Sequence, residues 1–595
     1  MKQERMARSC TVVISMQGQQ TANTAKRYEL SNSPSIYSGA WLASMLTVVV
    51  VGSALWVRPI LAVDETRYLS VAWEMYQSGD WLVPQVHGQP YGHKPPMLFW
   101  LIQAAWSLCG VSEPAARCVA PIMGIAGLFV LARLANRIWP QEPSVASIAP
   151  LIVTAGLVWQ IIGSMVMFDL PVTLFILLAN LATWNLAQFH DRTPAWRNWL
   201  LLAFSTGCAL LTKGPVIFVH IVPVAAMYSV WTNRWNWQSI FVWYSKFSSA
   251  MLAALLLLAA WAIPAAKQGG SEFVTEVLWT QYVGRLVQSF DHARPIWWYL
   301  PLLPAYLFPW GGIVWNGRRQ LLQRPTDLGV RFCLIWAVSA FLIVSVVSGK
   351  QIHYLIPIVP AVALLLSRMS ITLWQSAAAD SQIDVGETFH NALLAASMAV
   401  AAMVAQWNEL PFSYMWIWTA VVFCAANAIR TARFPAANPL RQSLRLASVS
   451  VLTLALVQFG LFWKTPYQAS FAEIANEIRH YQAAGIPVAQ FTHCHGQFHF
   501  LGRLEQPLTP LEDQDDLTRW AKQHPAGIFI VQPRANDFLG LSAVETASVY
   551  VDFRSRHVMA IRAEDWRAWQ LTQAKSTSPV NIVEQSNRIR SEQHR

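Results

Sequence analysis

Apolar runs of about 20 residues, the length a helix needs to cross a hydrocarbon core, recur along this 595-residue chain from Tyr37 to Trp463. That repetition leaves few folds open. A segment in hydrocarbon must satisfy its own backbone, so the runs must be helices packed as a bundle. With 54% hydrophobic and 13% charged residues, the chain departs from the roughly 25% charge of soluble domains. The expected fold class is a polytopic α-helical membrane protein. Candidate spans lie near 37–57, 96–110, 115–136, 144–162, 169–188, 198–211, 214–231, 247–266, 296–316, 331–348, 353–367, 391–407, 412–430 and 446–463. Several are shorter than a full crossing, which suggests broken or half helices.

Charge sets the expected orientation. The formal charge of +11 would suggest a nucleic-acid partner in a soluble chain. Here the basic residues crowd short loops between apolar runs, as cytoplasmic loops do, so no nucleic-acid partner is expected. Arg318, Arg319, Arg324 and Arg331 share one loop, and Arg430, Arg433, Arg441 and Arg445 share another. Both are expected inside. The polar segment 1–36, carrying Lys2, Arg5, Arg8, Lys26 and Arg27, is expected to be cytoplasmic, followed by a retained first span. Counting crossings places segments 58–95 and 267–295, the turn at 348–353 and everything after about 465 outside. The membrane domain is then 37–463 with about 13 spans, because an inside N-terminus and outside C-terminus require an odd number. One of the fourteen candidates, somewhere in 96–162, must be a half helix.

Past residue 464 the composition turns soluble. A helix over 469–484, a strand over 486–491, a helix over 515–523 and strands over 527–531 and 548–553 predict a small C-terminal extracytoplasmic α/β domain, residues 464–575. The tail 576–595 is polar and expected to be disordered. Seven scattered cysteines, with no CxxC pair, indicate neither a disulfide framework nor a zinc finger. His493, Cys494, His495 and His499 have metal-site composition but are read as structural.

The first outer segment carries the densest chemistry: VDETRYLSVAWEMYQSGDWLVPQVHGQPYGHKPPMLFWL, residues 63–101. Tyr68, Val71, Ala72, Met75 and Tyr76 share one face of an amphipathic helix closed by Gly79. Asp64 and Glu65 follow the first span, and Lys94 precedes Pro95-Pro96 at the next apolar run. Charges at the hydrocarbon boundary are costly unless paired or used. Lys94 is therefore either a snorkelling anchor or a group held at lipid-phosphate depth. Asp64 and Glu65 could equally serve the helix dipole.

DE-x-RY, SGDWLVP and G-x-PY-x-x-KPP, together with Glu113-Pro-Ala-Ala-Arg117, FDLP at 168–171, LTKGP at 211–215, YVGR at 282–285, PIWWYLP at 295–301 and SGKQIHYLIPIVPA at 348–361, resemble the bacterial aminoarabinose transferases and the dolichyl-phosphate-mannose protein mannosyltransferase-like family. The resemblance covers about residues 55–365 and implies a GT-C glycosyltransferase fold. It also implies a polyprenyl-phosphate (undecaprenyl-phosphate) sugar donor, and lipid A or a related envelope lipid as acceptor, at the periplasmic face of a bacterial inner membrane. Asp64 and Asp169 match the family's active-site aspartates. Lys94 and Arg285 match its donor-phosphate cations. Glu65, Tyr68, His93, Tyr282, Lys213, Lys350, His353 and Tyr354 are candidate substrate contacts. The residue before the KPP lysine is commonly acidic and able to bind a metal; here it is His93, and Tyr282 replaces a common His or Asn, so no metal or other cofactor is expected. GQFHFLGR, 496–503, resembles the FYLGR segment in a strand–turn–strand of related C-terminal domains. Two alternatives stay open. One is transfer to protein hydroxyls. The other is a transporter, which should show internal repeats and midplane charges; the ionisable residues here gather at one interface instead.

Overall fold

The computed structural model describes residues 35–188, 195–276, 293–322, 327–376, 382–464, 471–491, 495–531, 549–553 and 556–568. Tyr282, Arg285, His493 and Cys494 lie outside them. Among the described residues, ten helices are long and apolar enough to cross a membrane, or eleven if one bent pair is a single span. The chain is a multi-pass helical membrane protein with a small C-terminal sheet domain.

Polar contacts show how the chain runs. Arg117, near the start of the Glu113–Ile138 helix, donates to Arg58 O at 2.9 Å and Ala54 O at 3.1 Å, at the end of the Ser38–Val57 helix. Residues 58 and 117 therefore share one depth. The intervening Met97–Cys109 helix, only 13 residues long, returns to the side it left. This is the non-crossing segment among the 96–162 candidates. Pro143–Ala155 and Leu157–Gly163 form one broken span bent by 71° at Gly156.

The Ala195–Lys213 and Phe218–Ala226 helices look continuous by length, yet they are two passes. Lys213 bonds Asp169 at the start of the Asp169–Gln188 helix, whereas Arg234 donates to Ala187 O near its end. The reversal occurs at Gly214, whose φ of +71° an L side chain rarely adopts. The candidate span at 296–316 is corrected to three pieces, Ile296–Leu302, Leu303–Leu307 and Gly311–Leu322. Pro301, Pro304 and Pro309 remove the donors a continuous helix needs. The expected span 247–266 is the middle of a longer helix, Trp237–Val274, kinked at Gly270.

The C-terminal domain contains a mixed five-stranded sheet. With the two-stranded hairpin β1 (Gln85–Val86) and β2 (Gln89–Pro90) in the first loop, its strands are β3 (Val488–Phe491), β4 (Thr509–Leu511), β5 (Ile528–Val531), β6 (Val549–Phe553) and β7 (Arg556–Arg562), in order β4-β3-β5-β7-β6. β3 runs parallel to β4 and β5, while β7 is antiparallel to β5 and β6. β4 and β7 carry too little alternation to stand out in the sequence. The expected strand–turn–strand at 496–503 is corrected: His499–Gly502 is a short helix closed by Arg503 in the left-handed region.

That short helix docks the domain onto the first loop. Phe500 stacks on Trp106 with ring centres 5.4 Å apart, and Trp73 Nε1 donates to Leu504 O at 2.9 Å. Ser70 Oγ receives Phe500 N–H at 3.2 Å, and Gly496 N–H donates to His87 Nε2 at 3.0 Å. Glu74 accepts from the amides of His87 and Gly88, both at positive φ, and so holds the β1–β2 turn. Burial lowers His87 to about 4 and His499 to about 3, aided by their neighbours His495 and His87, so both imidazoles are neutral at pH 7.

Candidate active site at the loop end of the bundle

The Asp64–Ser78 helix begins directly after the first span, and Gly79 closes it at φ +68°. Its first two residues face opposite fates. Glu65 is fully buried, paired with Arg58 at 2.5 Å, and accepts from Leu61 N at 3.0 Å and Val166 N at 2.9 Å. Arg58 continues the network to Ser164 O, and Arg117 continues it to Glu113. Both Glu65 oxygens are thus committed, which corrects its candidacy as a substrate contact: it ties three chain segments together at the membrane boundary.

Asp64 makes different contacts. Its Oδ1 bonds Arg67 at 2.5 Å and lies 3.5 Å from Tyr68 Oη, and its side chain is 39% exposed. Its hydrogen-bond partners are side chains rather than backbone amides, so it is no capping residue. Burial, then the charge of Asp64, pushes the Tyr68 phenol well above its usual range, so it stays a neutral donor. The Tyr68 ring packs edge-on against Phe168 at 4.9 Å, next to Asp169 in sequence.

Asp169 heads its helix and is 1% exposed. Lys213, from the far end of another helix, bonds its Oδ1 at 2.6 Å and lies 5.1 Å over the Tyr354 ring. An isolated carboxylate at such a site would be strongly disfavoured; the ammonium makes its charge tolerable. Lys94 and His353 also lie within electrostatic reach of Asp169, and burial, with Asp169, Lys213, Lys94 and Asp64 acting on it, lowers His353 to about 4, so its imidazole is neutral at pH 7. The fold therefore brings Asp64, Lys94, Asp169, Lys213, His353, Tyr354 and Tyr68 into one electrostatically coupled group.

Two other candidates fall differently. Lys350 is 2% exposed and donates to Arg294 O at 3.0 Å and to Val347 O, the carbonyl just past its preceding helix. That bonding corrects its substrate role to a structural cap. His93 bonds Glu276 Oε1 at 2.6 Å and stacks on Tyr91 at 5.0 Å. Among the described residues no group of three or more His, Cys, Asp or Glu could hold a metal ion.

Sequence reasoning missed Arg67 and Glu276. Arg67 stood inside the DE-x-RY motif, one turn from Asp64. Glu276 carried no local signal, being 184 residues from its partner Gly92.

Known proteins fit this arrangement. Residues 93–264 match the dolichyl-phosphate-mannose-protein mannosyltransferase family. An undecaprenyl phosphate-α-4-amino-4-deoxy-L-arabinose arabinosyl transferase from Erwinia tasmaniensis is 30% identical over 320 residues, 53% of this chain and 56% of the relative. The chain is similar to aminoarabinose transferases and, over part of its length, to protein mannosyltransferases. The chain spans about half the length of the Erwinia relative, and a second relative of the same name, from Pseudomonas aeruginosa, is 26% identical over 68% of this chain and 73% of its own length. The crystal structure of ArnT from Cupriavidus metallidurans has a similar fold, with TM-score 0.69 at 20% identity, covering 88% of this chain and 98% of that one. The same protein bound to undecaprenyl phosphate gives 0.68.

Proposed function

We propose that this protein transfers a sugar, such as 4-amino-4-deoxy-L-arabinose, from an undecaprenyl-phosphate donor to lipid A or a related outer-leaflet lipid. The reaction takes place on the periplasmic face of the inner membrane, with thirteen crossings, the N-terminus inside and the sheet domain outside. One observation carries the reading: the acids Asp64 and Asp169 and the cations Lys94 and Lys213, from separate segments, meet around the neutral imidazole of His353 at the end of the bundle that bears the loop. The relatives named for this transfer support the donor class.

The leaving group is a lipid phosphate, whose growing negative charge is met by Lys94 and, from the second outer segment, Arg285. Where such cations are partly shielded from water they act at reduced dielectric and need no reorganisation. A lipid A phosphate is already ionised near neutral pH, so Asp64 has no proton to remove from it. Its work is to orient the sugar and stabilise positive charge at the anomeric carbon, while Arg67 and Tyr68 fix its carboxylate. Asp169, held charged by Lys213, adds to the same negative field. The match to protein mannosyltransferases favours one second reading, transfer to a protein hydroxyl, in which Asp64 acts as general base.

Mass spectrometry of envelope lipids and glycoproteins from wild-type and deletion strains separates these readings. Loss of a sugar-modified lipid A on deletion is the expected result. Loss of a glycoprotein instead selects the second reading, and an unchanged envelope rejects both.

A further inference from the structure

The KPP loop is pinned from across the chain. The Trp237–Val274 helix and the residues just past it meet the first loop at three places. Trp261 Nε1 donates to Leu82 O at 2.8 Å, Gln268 Nε2 to Asp80 Oδ2 at 2.7 Å, and Gly92 N to Glu276 Oε2 at 3.0 Å. The third contact is doubled, because Glu276 Oε1 also bonds His93 Nε2 at 2.6 Å. One carboxylate thus grips the two residues immediately before Lys94. The Tyr91 ring lies 9° from parallel with the His93 imidazole and completes the clamp. Gly92 belongs to it too: a Cβ there would come 2.7 Å from Glu276 Oε2.

We propose that Glu276 is a positioning residue: its direct bonds to Gly92 and His93 set where the Lys94 ammonium stands against the donor phosphate. The idea rests on the transferase reading for its kinetic consequence, though not for its geometry. A cation displaced by about 1 Å loses much of its grip on a reacting phosphate, and such displacement can cost about 10²-fold in rate. The bond lies outside the helical spans and joins two segments that local helix formation leaves independent, so an ionic clasp is a direct way to fix their register.

The test uses the full-length protein in nanodiscs with a synthetic polyprenyl-phosphate sugar and lipid A. Glu276→Ala is expected to lower kcat/KM about 10²-fold, raising the donor KM and leaving the acceptor KM unchanged. Glu276→Gln, which keeps an oxygen for the Gly92 amide, is expected to recover most of it. Gly92→Ala should produce the same donor-selective defect, and the double variant should be no worse than either single one. A wild-type rate for Glu276→Ala, or equal rises in both KM values, would overturn the proposal. So would a wild-type rate that a chelator abolishes and a divalent ion restores. Amine labelling of Lys94, followed by mass spectrometry, reads the geometry without turnover. At least a threefold change in labelling rate between wild type and Glu276→Ala is expected, and equal rates reject the clasp even if no transfer is found. Absence of wild-type transfer with altered labelling counts against the transferase reading alone.

Discussion

Two charged networks stand side by side where the first span ends, and adjacent residues begin them. Glu65 is itself saturated: Arg58 and two backbone amides engage both its oxygens, and it has no exposed surface. Asp64 is less committed, 39% exposed and, among the described residues, bonded only to Arg67 and Tyr68. Residue type does not distinguish the two acids. Saturation does: a charge whose hydrogen-bonding capacity is spent on the protein holds the fold, and one with capacity to spare can meet a ligand. Lys350 and Lys213 repeat the contrast. The first spends its ammonium on two carbonyls, whereas the second faces Asp169 and the Tyr354 ring.

The contrast breaks most visibly under substitution. Lys94→Ala and Asp64→Asn are each expected to lower transfer by about 10³-fold or more in a reconstituted assay, by loss of preorganised charge, with membrane insertion and thermal unfolding unchanged. Glu65→Ala should do the reverse. It strands Arg58 and Arg117 beside buried carbonyls and is expected to cost about 3–5 kcal/mol, seen as low yield and a lowered unfolding temperature. A stable, inactive Glu65→Ala protein would erase the distinction. Asp169→Asn is an intermediate case, leaving the mostly buried Lys213 without its anionic partner: it is expected to lower transfer about 10²-fold and also to cost stability, by up to about 3–5 kcal/mol, measured by kinetics and calorimetry on one preparation.

The smallest effect concerns the docking seam. His87 and His499 sit well below the ordinary 6.5 of imidazole, so the unfolded chain binds protons before the folded one as pH falls. Seam stability is therefore full above pH 6.5 and declines as pH drops toward 4, by on the order of 1 kcal/mol per unit per histidine. Glu74, raised above its ordinary value by burial, opposes this only toward the acidic end of the window. His495 and Arg503 face the same seam and add like charge. Hydrogen exchange at Ser70–Trp73 and Gly496–Phe500, corrected for intrinsic rates, is expected to quicken between pH 7.5 and 5.5; unchanged protection contradicts it.

Much of the bundle was legible, because hydrocarbon leaves a helix no alternative and length alone marks a span. What length could not show was depth. The Met97–Cys109 helix reads like its neighbours, and only the bonds from Arg117 to Arg58 and Ala54 reveal that it turns back. Prolines broke the 296–322 stretch in a way hydropathy averages over. In the site, Asp64, Lys94 and Asp169 stood out as charges beside apolar runs. Glu65 stood out for the same reason and proved structural, since saturation is a property of three dimensions. Glu276 was invisible because its meaning comes wholly from a loop 184 residues earlier.

Equilibrium binding of undecaprenyl phosphate to the protein in nanodiscs, by native mass spectrometry, tests the convergence of charge at the loop end most directly. Lys94→Ala is expected to weaken binding at least tenfold, while Asp64→Asn binds like wild type yet turns nothing over. Wild-type affinity in Lys94→Ala would contradict the account, because the lipid phosphate would then be held somewhere else.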